Sequence, residues 1–370
     1  MRYDKVCLES FGYALPEEIV TTRQIERTLA PLYERIGLPE GRLELMTGIR
    51  QRRFWKRGTR PSEKSAVSAQ RAIDAAAIDK RHVGALIHAS VCRDHLEPAT
   101  AARVHHLLGL PQECLLFDVS NACLGILNGM LLVANMIELG QIRAGLVVGT
   151  ECGRDLVENT IETLNRDTSI TRNQVKLAVA SLTIGSGSCA VLLVNRELSK
   201  TNNRLLGAVA QTNTDHHELC HSTAGDDGVD GTRPLMQTDS ETMMHAGIAT
   251  GAATFEQFLM ETDWTREAID KTFCHQVGVA HRRLMFESLG LEVDRDFATI
   301  ETLGNTGSVA LPISMALGLE AGHVERDEQI AMLGIGSGIN CLMLAARWQR
   351  SLVGGEGGLF DSNQIAAVTR

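Results

Sequence analysis

Two stretches of this chain follow one pattern, and that pattern constrains the fold more than any other feature of the sequence. Residues 105–153 read HHLLGLPQECLLFDVSNACLGILNGMLLVANMIELGQIRAGLVVGTECG, and residues 286–338 read FESLGLEVDRDFATIETLGNTGSVALPISMALGLEAGHVERDEQIAMLGIGSG. Cys123 lies 13 positions after the first LGL motif, and Asn305 lies 14 positions after the second. From each, a helical pattern runs to a glycine 17 positions further on, followed by a polar turn and a strand pattern. The repeat predicts two similar halves, each with a functional residue where a helix begins.

Apolar runs typical of strands alternate with helical patterns along the chain. The strand-like runs are Gly84–Cys92, Leu115–Ser120, Ala144–Thr150, Ser188–Val194, Lys271–His275, Ile330–Ile335 and Asn340–Ala345. The helical patterns include Ser65–Ala77, Ala99–Leu108, Leu124–Leu139, Val277–Leu289 and Gly307–Ala321. This alternation indicates a layered α/β fold. We expect an N-terminal half over residues 1–200, with a polar insertion at about 151–183, a C-terminal half over 201–350, and a Gly-rich tail over 351–370 that lies loosely on the surface.

Composition and charge argue against several function classes. With 370 residues, 44% of them hydrophobic, the chain can bury a large core. A formal net charge of −9 argues against nucleic-acid binding, and the sequence has no run of about 18 apolar residues that would predict a membrane span. The N-terminus lacks the apolar region of a signal peptide, and nine cysteines without a CxxC motif are typical of reduced thiols. We therefore expect a cytoplasmic protein.

Cys123 stands in FDVSNACLGILNGM, between a strand pattern and a helical pattern. A thiol at a helix N-terminus faces unpaired backbone N–H groups and the positive end of the helix dipole. Both stabilise the thiolate and lower the thiol pKa below its reference of about 8.5. The position therefore predicts either a nucleophile with a lowered pKa or a small buried residue at a tight turn.

Two more residues with useful chemistry lie at element boundaries. His275, in FCHQVG, ends a predicted strand, and Asn305, in LGNTGS, lies in a glycine turn. Thiolate catalysis needs a group that binds a carbonyl or moves a proton; both side chains can do this, although each alone is more often structural. The loop GIGSGINC, Gly334–Cys341, is suited to donating a backbone N–H. Together with Cys123, these residues indicate a catalytic site.

The ordered motifs NACLG, HQV, GNTGS and GIGSG resemble the thiolase superfamily. TGIRQRRF, Thr47–Phe54, is similar to the N-terminal motif of its ketoacyl synthase III-like branch, and the match runs from about Cys7 to Trp348. Within that branch, SVCRDHLEPAT, FDVSNACLGILNGM and LLGIGSGINC are most similar to the OleA-like enzymes, which condense two long-chain acyl-CoAs head to head. The resemblance implies a five-layered αβαβα thiolase fold built from two similar halves, and a homodimer.

The resemblance also implies roles for individual residues. Cys123 is the acylated nucleophile, and the backbone N–H groups of Cys123 and Gly338 form the oxyanion hole for the first thioester. His275 and Asn305 hold the carbonyl of the second thioester, and Glu97 reaches into the partner subunit's active site as a base. A plain acyl-CoA must lose an α-proton to such a base, whereas a malonyl substrate forms its carbanion by losing carbon dioxide. Alternatively, Glu97 has a structural role in the first turn of a helix, where the helix dipole stabilises its negative charge.

The stretch GRLELMTGIR departs from the priming synthases of this branch. Those enzymes often hold the CoA adenine and phosphates with Trp and Arg just before TGI, whereas Met46 precedes Thr47 here, so that clamp is absent or differently built. The basic residues that follow, Arg50 and Arg53 among them, either bind CoA phosphates or an acidic carrier protein, or form a solvated surface with internal ion pairs.

We therefore expect an acyltransferase that forms a carbon–carbon bond by Claisen condensation of two long-chain acyl-CoAs, giving a 2-alkyl-3-ketoacid. One alternative is ketoacyl synthase III, which condenses malonyl-carrier protein with an acyl-CoA primer; another transfers acyl groups to a hydroxyl or an amine. A non-catalytic acyl-binding or scaffold protein is a further alternative, but it gains nothing from an activated thiol. We expect no cofactor, and the expected partners are a second copy of the chain, acyl-CoA and, for the synthase alternative, an acyl carrier protein.

The segment DHHELCH contains the ligand types of a zinc site in His216, His217, Cys220 and His221. It lies in a Gly- and Asp-rich loop, Thr214–Gly231, and enzymes of the thiolase fold need no metal. We therefore expect no metal here.

Overall fold

Strands from both halves of the chain join in one large mixed sheet with helices on its faces. The structure, a computed structural model, describes residues 1–224 and 234–356. Its strands are β1 Val6–Ala14, β2 Glu18–Thr21, β3 Gln51–Phe54, β4 Val83–Ala89, β5 Leu115–Val119, β6 Ala144–Glu151, β7 Gly187–Asn195, β8 Arg204–Thr212, β9 Cys220–Ala224, β10 Pro234–Thr238, β11 Lys271–Cys274, β12 Gln329–Gly336, β13 Asn340–Arg347 and β14 Val353–Gly354. Its α-helices are α1 Thr22–Thr28, α2 Ala30–Ile36, α3 Arg42–Thr47, α4 Pro61–Ala76, α5 Thr100–Leu108, α6 Gly125–Glu138, α7 Arg154–Arg166, α8 Arg172–Ala178, α9 Ser240–Thr262, α10 Val279–Leu289, α11 Ile300–Leu303 and α12 Ala310–Glu320. None of the helices in these two ranges has both the length and the apolar character needed to cross a membrane.

The two halves of the chain pair their strands in the same way. In the first half the order is β4-β6-β7-β1, a parallel pair followed by two antiparallel pairs. In the second half the order β11-β12-β13-β8 repeats this sequence of directions. β5 pairs in parallel with the other side of β4, and an isolated parallel bridge between Thr272 and Asp296 takes the equivalent place beside β11. The prediction of two similar halves is therefore confirmed at the level of strand topology.

Neighbouring side chains on each strand face different helix layers, because side chains alternate across a strand. In β6, Leu146 belongs to an apolar cluster with α4 and α5, whereas Val147 belongs to a cluster with α6 and α12. In β13, Met343 packs with α9 and α10, whereas Leu344 joins the α6 and α12 cluster. The two halves of the sheet therefore enclose α6 and α12, and α4 with α5 and α9 with α10 cover the outer faces. This is the expected five-layered αβαβα arrangement.

The central helix layer brings the repeated positions together. α6 begins two residues after Cys123, and α12 begins five residues after Asn305. A Cβ added to Gly125 would lie 3.5 Å from the Cβ of Ser308, so the start of α6 touches the turn before α12. The duplication thus places one functional residue from each half at a shared boundary.

Of the two segments outside the repeated units, the tail differs from the sequence-based expectation. Residues 151–183 contain α7 and α8, which pack with the N-terminal helices in a separate apolar cluster that includes Leu32, Leu164 and Leu182. The start of the Gly-rich tail, expected to lie loosely, forms β14 and pairs with β1, with Val353 opposite Phe11. That expectation is wrong for these residues, because a half-buried valine adds to the sheet; residues 357–370 lie outside the described part of the chain.

Gly12 marks a close approach of α4 to β1. A Cβ at this position would lie 2.1 Å from the carbonyl oxygen of Ser68 and 2.4 Å from the nitrogen of Ala72, both backbone atoms of the helix. We expect Gly12→Ala to lower the free energy of unfolding by about 1–3 kcal/mol, as overpacking does, in urea denaturation. Gly251→Ala in α9 is the control, because the nearest atom to its Cβ is 4.0 Å away and alanine favours a helix. Equal destabilisation by the two substitutions would contradict this account of Gly12.

Candidate active site

Cys123 lies in the tight turn that joins β5 to α6, as the sequence predicts. The Leu124 N–H donates to the carbonyl oxygen of Asn121 over 2.9 Å, and α6 begins at Gly125. Ala122 has a φ of +44°, in the left-handed region that residues other than glycine rarely adopt. The turn therefore holds the thiol in a strained and well-defined backbone position just before the helix.

The Cys123 thiol keeps its proton at neutral pH in this structure. Burial raises its pKa to about 12, and the nearby Glu151 and Cys220 add to the rise, whereas a hydrogen bond from the cysteine's own backbone N–H opposes it. The expectation of a lowered pKa is wrong here. Cys123 precedes the first helical residue by two positions, and the loss of water around the thiolate raises the pKa more than the helix dipole lowers it.

Glu151 is a buried carboxylate at the end of β6, and it was not identified from the sequence. Its Oε1 accepts the Ser308 hydroxyl over 2.5 Å, the Val91 N–H over 3.2 Å and the Ser308 N–H over 3.4 Å. A Cβ on Gly307 would lie 3.2 Å from the Glu151 Cγ. This carboxylate therefore connects the end of β6, the segment after β4 and the turn that carries Asn305. The signal for it in the sequence is a glutamate that ends the apolar run LVVGTE.

Asn305 is held by its backbone, so that part of its side chain remains available. Its N–H donates to the Thr183 carbonyl over 2.9 Å, and its own carbonyl accepts the Gly185 N–H over 2.8 Å. The side-chain Oδ1 accepts the Gly307 N–H over 3.0 Å. The side-chain NH2 donates to none of the described residues, and it can therefore donate to a substrate carbonyl.

His275 follows β11 and is almost completely buried. Its backbone N–H donates to the carbonyl of Leu333 over 3.1 Å, but neither ring nitrogen has a hydrogen-bond partner among the described residues. Burial lowers the pKa of His275 to about 3, and the neighbouring His281 adds to the fall. The imidazole is therefore neutral, with one N–H to donate and one lone pair to accept.

The glycine loop after β12 lies against Cys123. A Cβ on Gly336 would lie 3.6 Å from the Cys123 Cβ and 3.7 Å from the Cys123 backbone nitrogen. The Asn340 side chain donates to the Ser337 carbonyl over 2.9 Å and to the Asn121 side chain over 3.4 Å. Gly338 lies within this loop at a φ of +127°, a conformation that favours glycine.

Contacts between backbone segments link the elements that carry the three predicted residues. Gly336 adjoins Cys123, and a Cβ on Gly334, two residues earlier in β12, would lie 2.8 Å from the Leu124 side chain. His275 is hydrogen-bonded to the same strand, at the residue before Gly334. Glu151 then links the neighbourhood of Cys123 to the Asn305 turn, as described above.

Glu97 stands apart from this group within the chain. It is exposed, and its side chain forms no hydrogen bond or ion pair with the residues that the structure describes. The segment that carries it is nevertheless fixed, because Asp94 accepts the N–H and the hydroxyl of Ser62 and Asp118 accepts the N–H groups of Thr100 and its neighbour at the start of α5. The chain therefore presents Glu97 outward from a well-held segment.

The basic residues are partly neutralised inside the chain. Arg50 pairs with Glu301 over 2.6 Å, and Arg53 donates to the Pro16 carbonyl over 2.9 Å. Arg50 also lines an open pocket of about 480 Å³ whose other charged residues are Arg23, Glu26, Glu40 and Glu44. The mixed charges of this pocket are less suited to a phosphate than an all-basic pocket is.

The DHHELCH segment forms a 3-10 turn and the start of β9. His217 Nδ1 lies 3.0 Å from the Thr214 carbonyl, and His221 Nδ1 lies 3.3 Å from the Glu218 carbonyl. Within residues 1–224 and 234–356, no three His, Cys, Asp or Glu side chains are arranged to hold a metal ion.

Two family models match parts of the chain. Residues 45–177 match the thiolase N-terminal domain, and residues 259–348 match the C-terminal domain of 3-oxoacyl-[acyl-carrier-protein] synthase III. An acyl-CoA:acyl-CoA alkyltransferase of Shewanella oneidensis is 40% identical over 351 residues, which cover 94% of this chain and 100% of the relative. An enzyme of the same name from Xanthomonas campestris is 31% identical over 348 residues, with 94% and 100% covered.

A solved structure extends this similarity to three dimensions. The crystal structure of a cysteine-to-serine variant of Xanthomonas campestris OleA with bound lauric acid and lauroyl-CoA has a TM-score of 0.87 at 31% identity. The alignment covers 94% of this chain and 100% of that one. Other crystal structures of that OleA carry replacements of a glutamate or a histidine.

The position of Glu151 gives a prediction about the nucleophile. Glu151→Gln keeps an acceptor for Ser308 and Val91 but removes a negative charge beside the thiol, so the pKa of Cys123 should fall. At a mildly alkaline pH below that pKa, iodoacetamide should alkylate Cys123 faster, by about tenfold for each pKa unit lost. Peptide mapping of the alkylation rate measures this, with Glu325→Gln as the control because Glu325 is exposed and is not among the charges that act on the thiol. An unchanged or slower rate in Glu151→Gln would count against this electrostatic role.

Proposed function

The chain belongs to the acyl-CoA:acyl-CoA alkyltransferase family, and from this premise we infer that it is an acyltransferase that joins two acyl-CoA molecules by Claisen condensation. The observation that supports this most directly is that the glycine loop adjoins Cys123, while the buried Glu151 carboxylate acts on Cys123 and binds the turn that carries Asn305. His275 is hydrogen-bonded to the strand that leads into the glycine loop. We take two long-chain acyl-CoAs as the substrates and a 2-alkyl-3-ketoacid as the product.

In the first step the Cys123 sulfur attacks the carbonyl carbon of one acyl-CoA. The new C–S bond replaces the bond to CoA, and the thiol proton leaves on the CoA sulfur, which balances the exchange. The carbonyl oxygen becomes negative in the intermediate, and backbone N–H donors stabilise such an oxyanion. We assign this role to the N–H groups of Cys123 and Gly338, supported by the glycine loop that lies against the nucleophile.

In the second step a second acyl-CoA loses an α-proton, and its enolate attacks the acyl-Cys123 carbonyl. Donors on the thioester oxygen stabilise the enolate as negative charge develops there. We assign His275 and the Asn305 carboxamide to this oxygen, supported by a neutral ring without an internal partner and by an amide NH2 that is free among the described residues. The new carbon–carbon bond replaces the C–S bond to Cys123, and the departing sulfur takes up a proton in place of the α-proton that the second substrate lost. The product at this stage is a 2-alkyl-3-ketoacyl-CoA, and water then hydrolyses its remaining thioester to give the 2-alkyl-3-ketoacid and CoA.

The base for the α-proton is Glu97 of a second copy in this proposal. Glu97 is exposed in its own chain, and the adjacent Leu96 is 95% exposed. β5 is at one end of the sheet order, and Leu115 on it is 51% exposed, which makes this edge suitable for pairing with another copy. A homodimer joined at this edge would carry Glu97 towards the neighbouring active site.

The alternative within the fold is the decarboxylative reaction of ketoacyl synthase III. The match of the C-terminal half to that synthase keeps it open, whereas the full-length relatives favour condensation of two acyl-CoAs. Acyl transfer to a hydroxyl or an amine, and a non-catalytic scaffold, have no observation in their favour. We propose acyl-CoA as the substrate and no cofactor, and we keep carrier protein for the synthase alternative. A cytoplasmic location is supported by nine unpaired cysteines, including the nucleophile.

The reaction can be tested with lauroyl-CoA as the only substrate. We expect the wild-type protein to show an acyl adduct by intact-mass analysis and to release a condensation product, and Cys123→Ala to do neither, because the acyl-enzyme cannot form. Product that appears only after malonyl-carrier protein is added would support the synthase alternative. Absence of any adduct over a range of chain lengths would support a non-catalytic protein.

The role of Glu97 can be tested separately. Glu97→Gln should form the acyl-Cys123 adduct normally and lose about 100-fold or more in condensation rate, since a general base contributes roughly that much. A mixed dimer of Cys123→Ala and Glu97→Gln subunits distinguishes action across the interface from action within one subunit. If Glu97 acts in the partner's site, this dimer retains one complete site and regains activity. An inactive mixed dimer, shown to be assembled, would disprove the cross-subunit role.

A further inference from the structure

Gln276 follows His275 directly and is buried, with 2% of its surface exposed. Its Nε2 donates to the Phe297 carbonyl over 2.8 Å. Its Oε1 accepts two backbone N–H groups, that of Thr299 over 2.9 Å and that of Ile300 over 3.0 Å. One carboxamide thus binds three backbone groups of a segment more than twenty residues away.

The two accepted N–H groups belong to the start of α11, a single helical turn that ends at Leu303, two residues before Asn305. The first N–H groups of a helix have no partner within it, and a side chain commonly accepts them. The residue at the cap position, Thr299, does not, because its hydroxyl binds the Ser314 hydroxyl over 2.6 Å. Gln276 therefore supplies the cap for the turn that leads into Asn305.

Other contacts of this turn make it a rigid connection. The Gly304 N–H donates to the Ile300 carbonyl, and a Cβ on Gly304 would lie 2.7 Å from the Thr183 carbonyl oxygen. Asn305 is then fixed by Thr183 and Gly185, as described above. A shift at the capped end of α11 is consequently transmitted to Asn305 and is not absorbed by a loose loop.

The His275 ring, in contrast, has no hydrogen bond to the described residues that would orient it. Its position depends on its backbone and on packing, and the next residue ties that backbone to α11. Two donors that share one carbonyl oxygen must keep a fixed separation, and an error of about 1 Å in such a geometry can reduce a rate about 100-fold.

We propose that Gln276 is a positioning residue for the second half-reaction, which sets the distance between His275 and Asn305 by capping α11. The proposal rests on the proposed function in assigning these two residues to the second thioester. It makes no claim on the first half-reaction, because Cys123 and the glycine loop have no hydrogen bond to Gln276. Loss of the Gln276 carboxamide should therefore slow the condensation without slowing the acylation of Cys123.

The test compares acylation and condensation rates in one variant. Gln276→Met keeps nearly the same shape but removes the three hydrogen bonds. Cys123 acylation by lauroyl-CoA, followed by intact mass, should stay within about twofold of wild type, while condensation should fall by at least about tenfold. Condensation is measured with whichever second substrate the wild-type protein accepts, acyl-CoA or malonyl-carrier protein. If the wild-type protein condenses neither, the proposed function fails; if the wild-type protein condenses one and the variant condenses it equally well, this proposal fails.

Asn203→Leu is the matched control, because Asn203 is also a buried carboxamide with four backbone hydrogen bonds, to Leu8, Gln349 and Arg350, away from the site. It should lose stability in thermal unfolding without changing the ratio of the two rates. Should Gln276→Met fail to fold, Gln276→Asn serves instead, since it keeps a carboxamide but is one methylene too short to accept the N–H groups of α11. An unchanged ratio in the folded Gln276 variant, or an equal fall in both rates, overturns the proposal.

Discussion

The geometry of the site depends on the hydrogen bonds that the buried Glu151 carboxylate accepts. A carboxylate removed from water is strongly destabilising unless hydrogen bonds replace those of the solvent. Glu151 obtains them from Ser308 in the C-terminal half and from Val91 in the segment that leads to Glu97. Because these partners come from separate parts of the chain, the hydrogen bonds to this one carboxylate fix how the two halves lie relative to each other near Cys123. The two halves of the fold are therefore joined by a polar contact as well as by the apolar central layer.

Burial has opposite effects on the two titratable groups of the site, and both effects keep the group neutral. It raises the pKa of Cys123 and lowers the pKa of His275, since each charged form would lose its hydration. A neutral imidazole is suited to donating a hydrogen bond to a thioester oxygen. A protonated thiol reacts slowly with stray electrophiles, so reaction depends on a substrate that enters the site and accepts the proton in exchange for its acyl group.

Much of the fold could be predicted from the sequence, because apolar strand runs and helical patterns extend over most of both halves. The predicted strands at Ala144–Thr150 and Asn340–Ala345 agree with β6 and β13 within a residue or two. The 23-residue α9 was missed, and its composition explains this: glycines and threonines such as Thr250 and Thr254 weaken helical propensity, and both hydroxyls donate to carbonyls four residues earlier. Tertiary packing on β8 and β13, which no local pattern reveals, stabilises it.

The sequence by itself determined the duplication, the motif order and the identity of Cys123, His275 and Asn305 as chemically useful residues, because these depend on residue type and spacing. Only the tertiary structure decided the protonation state of the thiol, the importance of Glu151 and the link from Gln276 to α11. The physical reason is that burial and hydrogen bonding arise between segments far apart in the chain. A serine can donate a hydrogen bond to a glutamate that ends a strand 157 residues earlier only after both halves have folded together.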